Sequence, residues 1–214
     1  RKVQKGKVVF LGTDLNKFDE VFLVNRYQNK PENEVWIAYV GTLGHSYDLI
    51  SVFDAIEILM NEGINNLKFI IMGDGPLKEK FKQYSESKKI NALFTGRLPY
   101  SKMVGILGVC DIAVNPIASR SAGSIINKHG DYAAAGLPVI NTQESLEYRN
   151  LVTKYNMGFN CVNGDPRDIA DKIQLLIRSD KREEMGHNSR KLAEERFDRK
   201  KTYSDIVKLI KTWY

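Results

Sequence analysis

Apolar positions along this chain follow two alternating rhythms. Short, almost uninterrupted β-rich runs give way to stretches in which apolar residues recur at helical spacing. Val35–Val40, Leu67–Met72, Ala92–Thr95, Asp111–Asn115, Pro138–Asn141 and Gly158–Val162 read as strands. Runs that are apolar on both faces are what buried parallel strands require. Between them lie predicted helices. Tyr47–Asn61 carries Leu49, Val52, Phe53, Ile56, Leu59 and Met60 on one face, and Glu62–Gly63 closes it. A second runs from Pro76 to Lys88, with Pro suited to its first turn. Tyr100–Gly108 and Ser124–Ala135 follow, the latter ended by Gly136. Asp168–Arg178, Lys181–Arg196 and Thr202–Thr212 are helices at the C-terminal end. Residues 1–34 are less regular: Val8–Leu11 offers one more strand, and Asn25–Glu34 is a polar, Pro-bearing loop.

A β-α-β-α succession with short connections and right-handed crossovers predicts an α/β fold, a Rossmann-like, doubly wound parallel sheet with helices on both faces. Residues 1–34 lead in, 35–180 form the sheet domain, and 181–214 are helices packing on it. Ligands in such sheets sit beyond the carboxyl ends of the strands, near the point where the strand order reverses. Gly41-Thr42-Leu43-Gly44, Gly73-Asp74-Gly75, Gly96-Arg97 and the Ser119–Ser124 loop all follow strands. They are therefore expected to gather on one rim.

Composition narrows the class. The chain has 214 residues, 43% hydrophobic and 27% charged, which excludes a disordered or collagenous polypeptide. No apolar run approaches the roughly 18 residues of a membrane-spanning helix. The basic Arg1–Lys7 followed by the short Val8–Leu11 does not read as a signal peptide. Cys110 and Cys161 form neither a disulfide framework nor a CxxC pair, so a reducing cytoplasm is expected. The net charge of +6 favours an anionic partner: a phosphate ligand, an acidic lipid surface or nucleic acid. Its 32 basic residues are interspersed with 26 acidic ones, however, as on any solvated basic surface. With no C2H2 spacing and no RNP-like aromatic cluster, no nucleic-acid partner is expected.

The small, glycine-bearing loop Ala118–Ser124 leads into a predicted helix. Free amides and the macrodipole at a helix start form an anion site, and Arg120 and Lys128 add charge suited to a diphosphate. An ordinary loop capped by Ser124 fits equally well. Asp131, inside the same helix, can accept hydrogen bonds from a ribose diol, but the residues alone favour a surface partner of Lys128, three residues away. The glycines of Gly41-Thr42-Leu43-Gly44 permit close backbone approach to a ligand, or a tight turn with none. The segment is neither a Walker loop nor GxGxxG. Gly73-Asp74-Gly75-Pro76 reads as a turn whose Asp74 caps the next helix. His45, His129 and His187 are scattered, with no HExxH and no GxSxG, so neither metal nor nucleophilic chemistry is expected. The two Cys read as core packing.

In order and spacing these pieces resemble the C-terminal, donor-binding half of retaining nucleotide-sugar glycosyltransferases of family four (group 1), which have the GT-B architecture. The resemblance is carried by Gly12-Thr13-Asp14 with Phe18, by Tyr39–Gly44, Phe69–Leu77, Phe94–Pro99 and Asp111–Pro116. Asn127–Ile140 (NKHGDYAAAGLPVI), similar to the family's N-K-x-x-E-Y-x-A-x-G-x-P-V-I run, carries it too, as do Asn163–Pro166 and Met185–Phe197. It implies that Asp131 binds the nucleotide ribose and that the backbone of Gly123, Ser124, Ile125 and Ile126 holds the diphosphate and sugar. It implies that the main chain of Arg97–Leu98 meets the base, and that Gly41, Thr42 and Gly44 border the donor. Leaving-group charge on the diphosphate would be stabilised by amide dipoles and by Arg97, Arg120 and Lys128, without a metal.

Three departures stand out. Gly123 occupies the position of the family's earlier acid, Asp131 replaces its Glu, and Thr42, His45 and Ser46 stand where the first loop often carries Arg and Lys. The resemblance further implies a nucleotide-sugar as substrate, no cofactor, and a saccharide or lipid-linked acceptor bound mainly by an N-terminal domain outside these residues. It implies a cytoplasmic protein, with the basic 181–214 region compatible with peripheral association at the cytoplasmic membrane face. The isolated chain is then expected to bind nucleotide weakly without turnover. The alternatives are a non-catalytic nucleotide-sugar-binding subunit that needs a partner chain, and another GT-B enzyme such as a nucleotide-sugar epimerase.

Overall fold

The computed structural model describes residues 9–121, 125–178 and 180–211. The strands are β1 Val35–Val40, β2 Leu67–Met72, β3 Ala92–Gly96, β4 Ile112–Asn115, β5 Val139–Asn141 and β6 Gly158–Asn160. They form one sheet in the order β3-β2-β1-β4-β5-β6, and every neighbouring pair is parallel. The chain after β1 moves outward one way and the chain after β4 the other. The order therefore reverses between β1 and β4, where their following loops part to leave a crevice.

The two-residue period of a strand divides each run between two cores. Val35, Ile37 and Tyr39 of β1 and Leu67, Phe69 and Ile71 of β2 face one side. Trp36, Ala38, Ile70 and Met72 face the other. The first side is covered by α2 Leu49–Asn61, α3 Lys78–Ser87 and α7 Pro166–Arg178. The second is covered by α1 Leu15–Asn25, α4 Tyr100–Leu107, α5 Asn127–Ala134 and α6 Leu146–Tyr155. Helix α8 Lys181–Leu192 closes the β6 edge, with Met185 in the first core and Leu192 in the second.

Several boundaries differ from the sequence expectation. Helix α2 starts at Leu49 because Asp48 caps it, its carboxylate accepting the Ser51 amide at 3.1 Å. Helix α3 starts at Lys78, beyond Pro76, and Asp74 does not cap it: the Asp74 carboxylate accepts the adjacent Gly75 amide at 2.9 Å. Helix α5 starts at Asn127, not at Ser124, which lies outside the described residues; Ile126 is extended at φ −105° and ψ 159°. Strand β6 stops at Asn160. The helix expected over Lys181–Arg196 ends at Leu192 and gives way to a π-helical turn, Ala193–Phe197, before α9 Arg199–Lys211. Residues 9–12 form no strand, and Val8 lies outside the described residues. The segment is tied down by a bridge between Thr13 and Asp198, by the Arg199 guanidinium, which donates to the Gly12 carbonyl at 3.0 Å, and by Phe10 packed edge-on against Phe197. Helices α1 and α6 have no counterpart in the sequence expectation.

Candidate functional site

The glycine turns do gather at the carboxyl end of the sheet, and they pack on one another. The Gly41 amide donates to the Met72 carbonyl at 3.0 Å, and the Leu43 amide to the Asp74 carbonyl at 3.0 Å. A Cβ on Gly73 would stand 1.8 Å from the Gly41 oxygen, and one on Gly75 2.4 Å from the Leu43 oxygen. Gly73 and Gly75 therefore serve loop-on-loop contact. Leu43, fully buried, plugs the base of the loop. Above it opens a cavity of about 700 Å³, lined by Gly41, Thr42, Gly73, Arg97, Leu98 and Tyr100 among others. Gly44 is not among its lining residues; its carbonyl accepts the Tyr47 amide at 3.1 Å. The 118–121 loop is stitched to the same rim by the Ala118 amide, which donates to the Ser46 carbonyl at 3.0 Å. Arg120 is exposed, has φ +61°, and its amide donates to the Glu144 carboxylate at 3.3 Å.

Asp131 sits in the second turn of α5 and is partly buried. It makes no ion pair with Lys128. Instead the Thr13 hydroxyl donates to its carboxylate at 3.0 Å. Gly130 makes that approach possible, since a Cβ there would meet the Thr13 hydroxyl oxygen at 2.7 Å. The π-helical turn fixes Thr13 from behind, with the Thr13 amide donating to the Phe197 carbonyl at 2.8 Å and the Arg199 amide to the Thr13 carbonyl at 3.0 Å. Burial raises the Asp131 carboxyl to about 6, opposed by the Thr13 hydrogen bond and the Arg199 charge. A cavity of about 450 Å³ opens over it, lined by Thr13, Asp14, Tyr100, Asn127, Asp131 and Arg199 among others. Tyr100 lines both cavities, so they adjoin. Burial, reinforced by the Asp131 charge, pushes the Tyr100 phenol up to about 12.

The start of α5 holds two buried basic groups. His129 is fully buried and stacked on Tyr148, ring centroids 3.5 Å apart. Its Nδ1 accepts the Ile126 amide at 3.2 Å. That amide, expected to meet the diphosphate, is already engaged within the protein. Burial first, then the neighbouring Lys128, hold His129 well below its ordinary range. Ile125 is partly buried against the second core. Gly123 and Ser124 lie outside the described residues. Lys128 is 7% exposed, and its Nζ has no hydrogen-bond partner. The amine lies 4.3 Å from the Tyr39 ring centroid and 3.9 Å from that of Tyr47. Burying an ammonium without an acceptor costs several kcal/mol after relaxation. Each of the two desolvated ring faces returns about 2 kcal/mol and offsets part of that cost. Burial lowers Lys128 well below the ordinary amine range.

Sequence reasoning thus located Asp131, Arg97, Leu98, Gly41 and Thr42 around two adjoining cavities. It missed Tyr100, the Tyr39–Tyr47 box, and Thr13 as a partner of Asp131. One signal was available: Gly130 costs a helix about 1 kcal/mol relative to Ala, which marks a close approach.

Residues 24–192 match the family model described as glycosyl transferases group 1. The capsular polysaccharide biosynthesis glycosyltransferase CapM of Staphylococcus aureus is 24% identical over 208 residues, covering 94% of this chain and 50% of its own length. The fold is similar to that of sucrose-phosphate synthase from Thermosynechococcus elongatus, with a TM-score of 0.80 at 16% identity over 99% of this chain and 53% of that one. It is also similar to that of Anabaena HepE solved in complex with UDP-glucose, with a TM-score of 0.79 at 18% identity over 96% and 57%. The chain therefore spans about half the length of these relatives.

Proposed function

The chain belongs to the group 1 glycosyl transferases, and we propose that it is the donor-binding half of such an enzyme. In this reading a nucleoside-diphosphate sugar lies across the two adjoining cavities. Its ribose diol is held by Asp131, its diphosphate lies at the start of α5, and its base lies against the main chain of Arg97–Leu98. The sugar passes, with retained configuration, to a saccharide or lipid-linked acceptor bound by a further domain. Charge developing on the departing diphosphate is met by Arg97, Arg120 and Lys128, placed before the bond breaks. The capsular relative supports a place in cell-surface polysaccharide synthesis, and the UDP-glucose neighbour supports a nucleotide-sugar donor. No helix among the described residues is long and apolar enough to cross a membrane. We place the chain in the cytoplasm, peripheral to the membrane face.

One observation carries the reading. A carboxylate in the second turn of α5 is held by Thr13 and faces an open cavity at the carboxyl end of the sheet, though burial works against its charge. An ionisable group shifted by burial and set in a cleft is a functional-site candidate with a physical rationale. The test is calorimetric titration with UDP, GDP, dTDP and ADP in turn, on the chain and on Asp131→Ala. At least one diphosphate should bind, and the substitution should weaken it about tenfold or more, as expected for lost hydrogen bonds to a charged group. If no diphosphate binds, or if the variant binds unchanged, the reading fails. A glycosyl-transfer assay on the chain alone should give no turnover; robust transfer would overturn the need for a further domain.

A further inference from the structure

The Lys128 amine is the one buried cation of the α5 start that the described residues leave without an acceptor. It lies between the faces of Tyr39 and Tyr47, buried and without an acceptor. Gly41 lies between the box and the larger cavity: a Cβ on it would stand 3.1 Å from the Tyr39 hydroxyl and 3.3 Å from Nζ, and Gly41 itself lines that cavity. Position 41 therefore places no side chain between the amine and the space above the loop. The box is held in shape by its neighbours. The Tyr39 hydroxyl donates to the Thr42 carbonyl at 2.7 Å, and Tyr47 is bridged to Ile117.

We propose that nucleotide binding at the start of α5 is coupled to proton uptake by Lys128, which is neutral in the Tyr39–Tyr47 box and becomes an ammonium when a diphosphate arrives. This rests on the donor-site reading above and goes beyond it. The step is a single proton transfer from solvent to the Nζ lone pair, giving –NH₃⁺ against the diphosphate oxygens. Burial alone works against the charge in the empty site; a nearby anion reverses the preference. The titratable groups facing the amine are the phenols of Tyr39 from β1 and Tyr47 from the β1–α2 loop, and His129 from its own helix. Asp131, on the same helix, turns to Thr13 instead. Among the described residues no carboxylate lies at ion-pair distance from Lys128.

The experiment is calorimetric titration of the 214-residue chain with the tightest binder of UDP, GDP, dTDP and ADP, repeated in buffers of different ionisation enthalpy. At about pH 8 a terminal phosphate, which titrates near 6, is already ionised, as is Asp131. His129 stays neutral. About one proton should be taken up per nucleotide, with affinity falling about tenfold per pH unit between the amine's free and bound ranges. The matching nucleoside, without phosphates, should take up none. Lys128→Met and Lys128→Arg should bind nucleotide without uptake. The Cε NMR resonance of Lys128 in the unaltered chain should report protonation on titration, so the assignment does not depend on a variant that folds. Nucleotide binding without proton uptake overturns the inference and leaves the donor site standing. Uptake that persists in Lys128→Met also overturns it. Absence of any nucleotide binding brings down both.

Discussion

In the proposed donor site, Asp131 would serve the ligand at the expense of the fold. Its carboxyl is raised by burial to about 6. A carboxyl with a raised folded value stabilises the fold below its unfolded value, near 4, and loses that contribution as pH rises through the folded value. Above about pH 6 the ionised group opposes folding by up to about 3 kcal/mol. Asp131→Asn keeps the Thr13 hydrogen bond and removes the charge. Urea unfolding should show the variant equal to the parent near pH 4 and more stable above pH 6, while its nucleotide affinity falls. Equal stability at both pH values would mean that the carboxylate is well solvated. Thr13→Val should act the other way, leaving the carboxylate with one donor fewer and weakening nucleotide binding. The acid itself was legible in the sequence because it stands at a definite place in a recognisable run. Thr13 was not, because it lies 118 residues away and the contact depends on the missing side chain of Gly130.

The strands were the most legible elements, their limits falling within two residues of expectation, although β3 and β6 hold no buried residue. Helix α1 escaped notice because Leu15 and Phe18 are its buried residues, while Leu23 and Val24 are 80% and 85% exposed. No single apolar stripe marks it. Helix α6 buries Tyr148, Leu151 and Val152, but opens on Leu146, which is 73% exposed. Helix α5 begins late because His129 takes the Ile126 amide and holds that residue extended. The glycines of the rim look alike in sequence and differ in the fold. Gly73→Ala and Gly75→Ala would drive a methyl into the Gly41 and Leu43 backbone. Each should cost about 3 kcal/mol, the upper end of the overpacking range. Gly44→Ala meets its nearest atom at 3.7 Å and has no positive φ, so it should change stability by less than about 0.5 kcal/mol. Thermal unfolding of the three variants checks this split; equal losses would mean that the loops part to admit a side chain.

At the scale of the whole molecule, the sheet makes one body of two cores. Each central strand feeds both sides, so neither core can lose its packing while the other keeps its floor. On the first side Phe53 meets Phe69, Phe81, Tyr84 and Phe94, with ring centroids 5.6–6.5 Å apart. On the second, Leu107 of α4 is fully buried in the core. Phe53→Ala should cost about 3–5 kcal/mol and Leu107→Ala about 2–5 kcal/mol. Because the floor is shared, both should lower the same single transition, seen alike by far-ultraviolet and near-ultraviolet circular dichroism. Chains beyond about 150 residues often unfold through intermediates, which makes the expectation a sharp one. The crevice between β1 and β4 draws loops from both halves of the sheet, and Asp131 on α5 is bonded to Thr13 near the other end of the chain. Nucleotide protection should therefore vanish at the same temperature as the fold in either variant. A variant that kept binding nucleotide after one core had melted would show that the halves of the sheet fold separately, and that the site belongs to one of them.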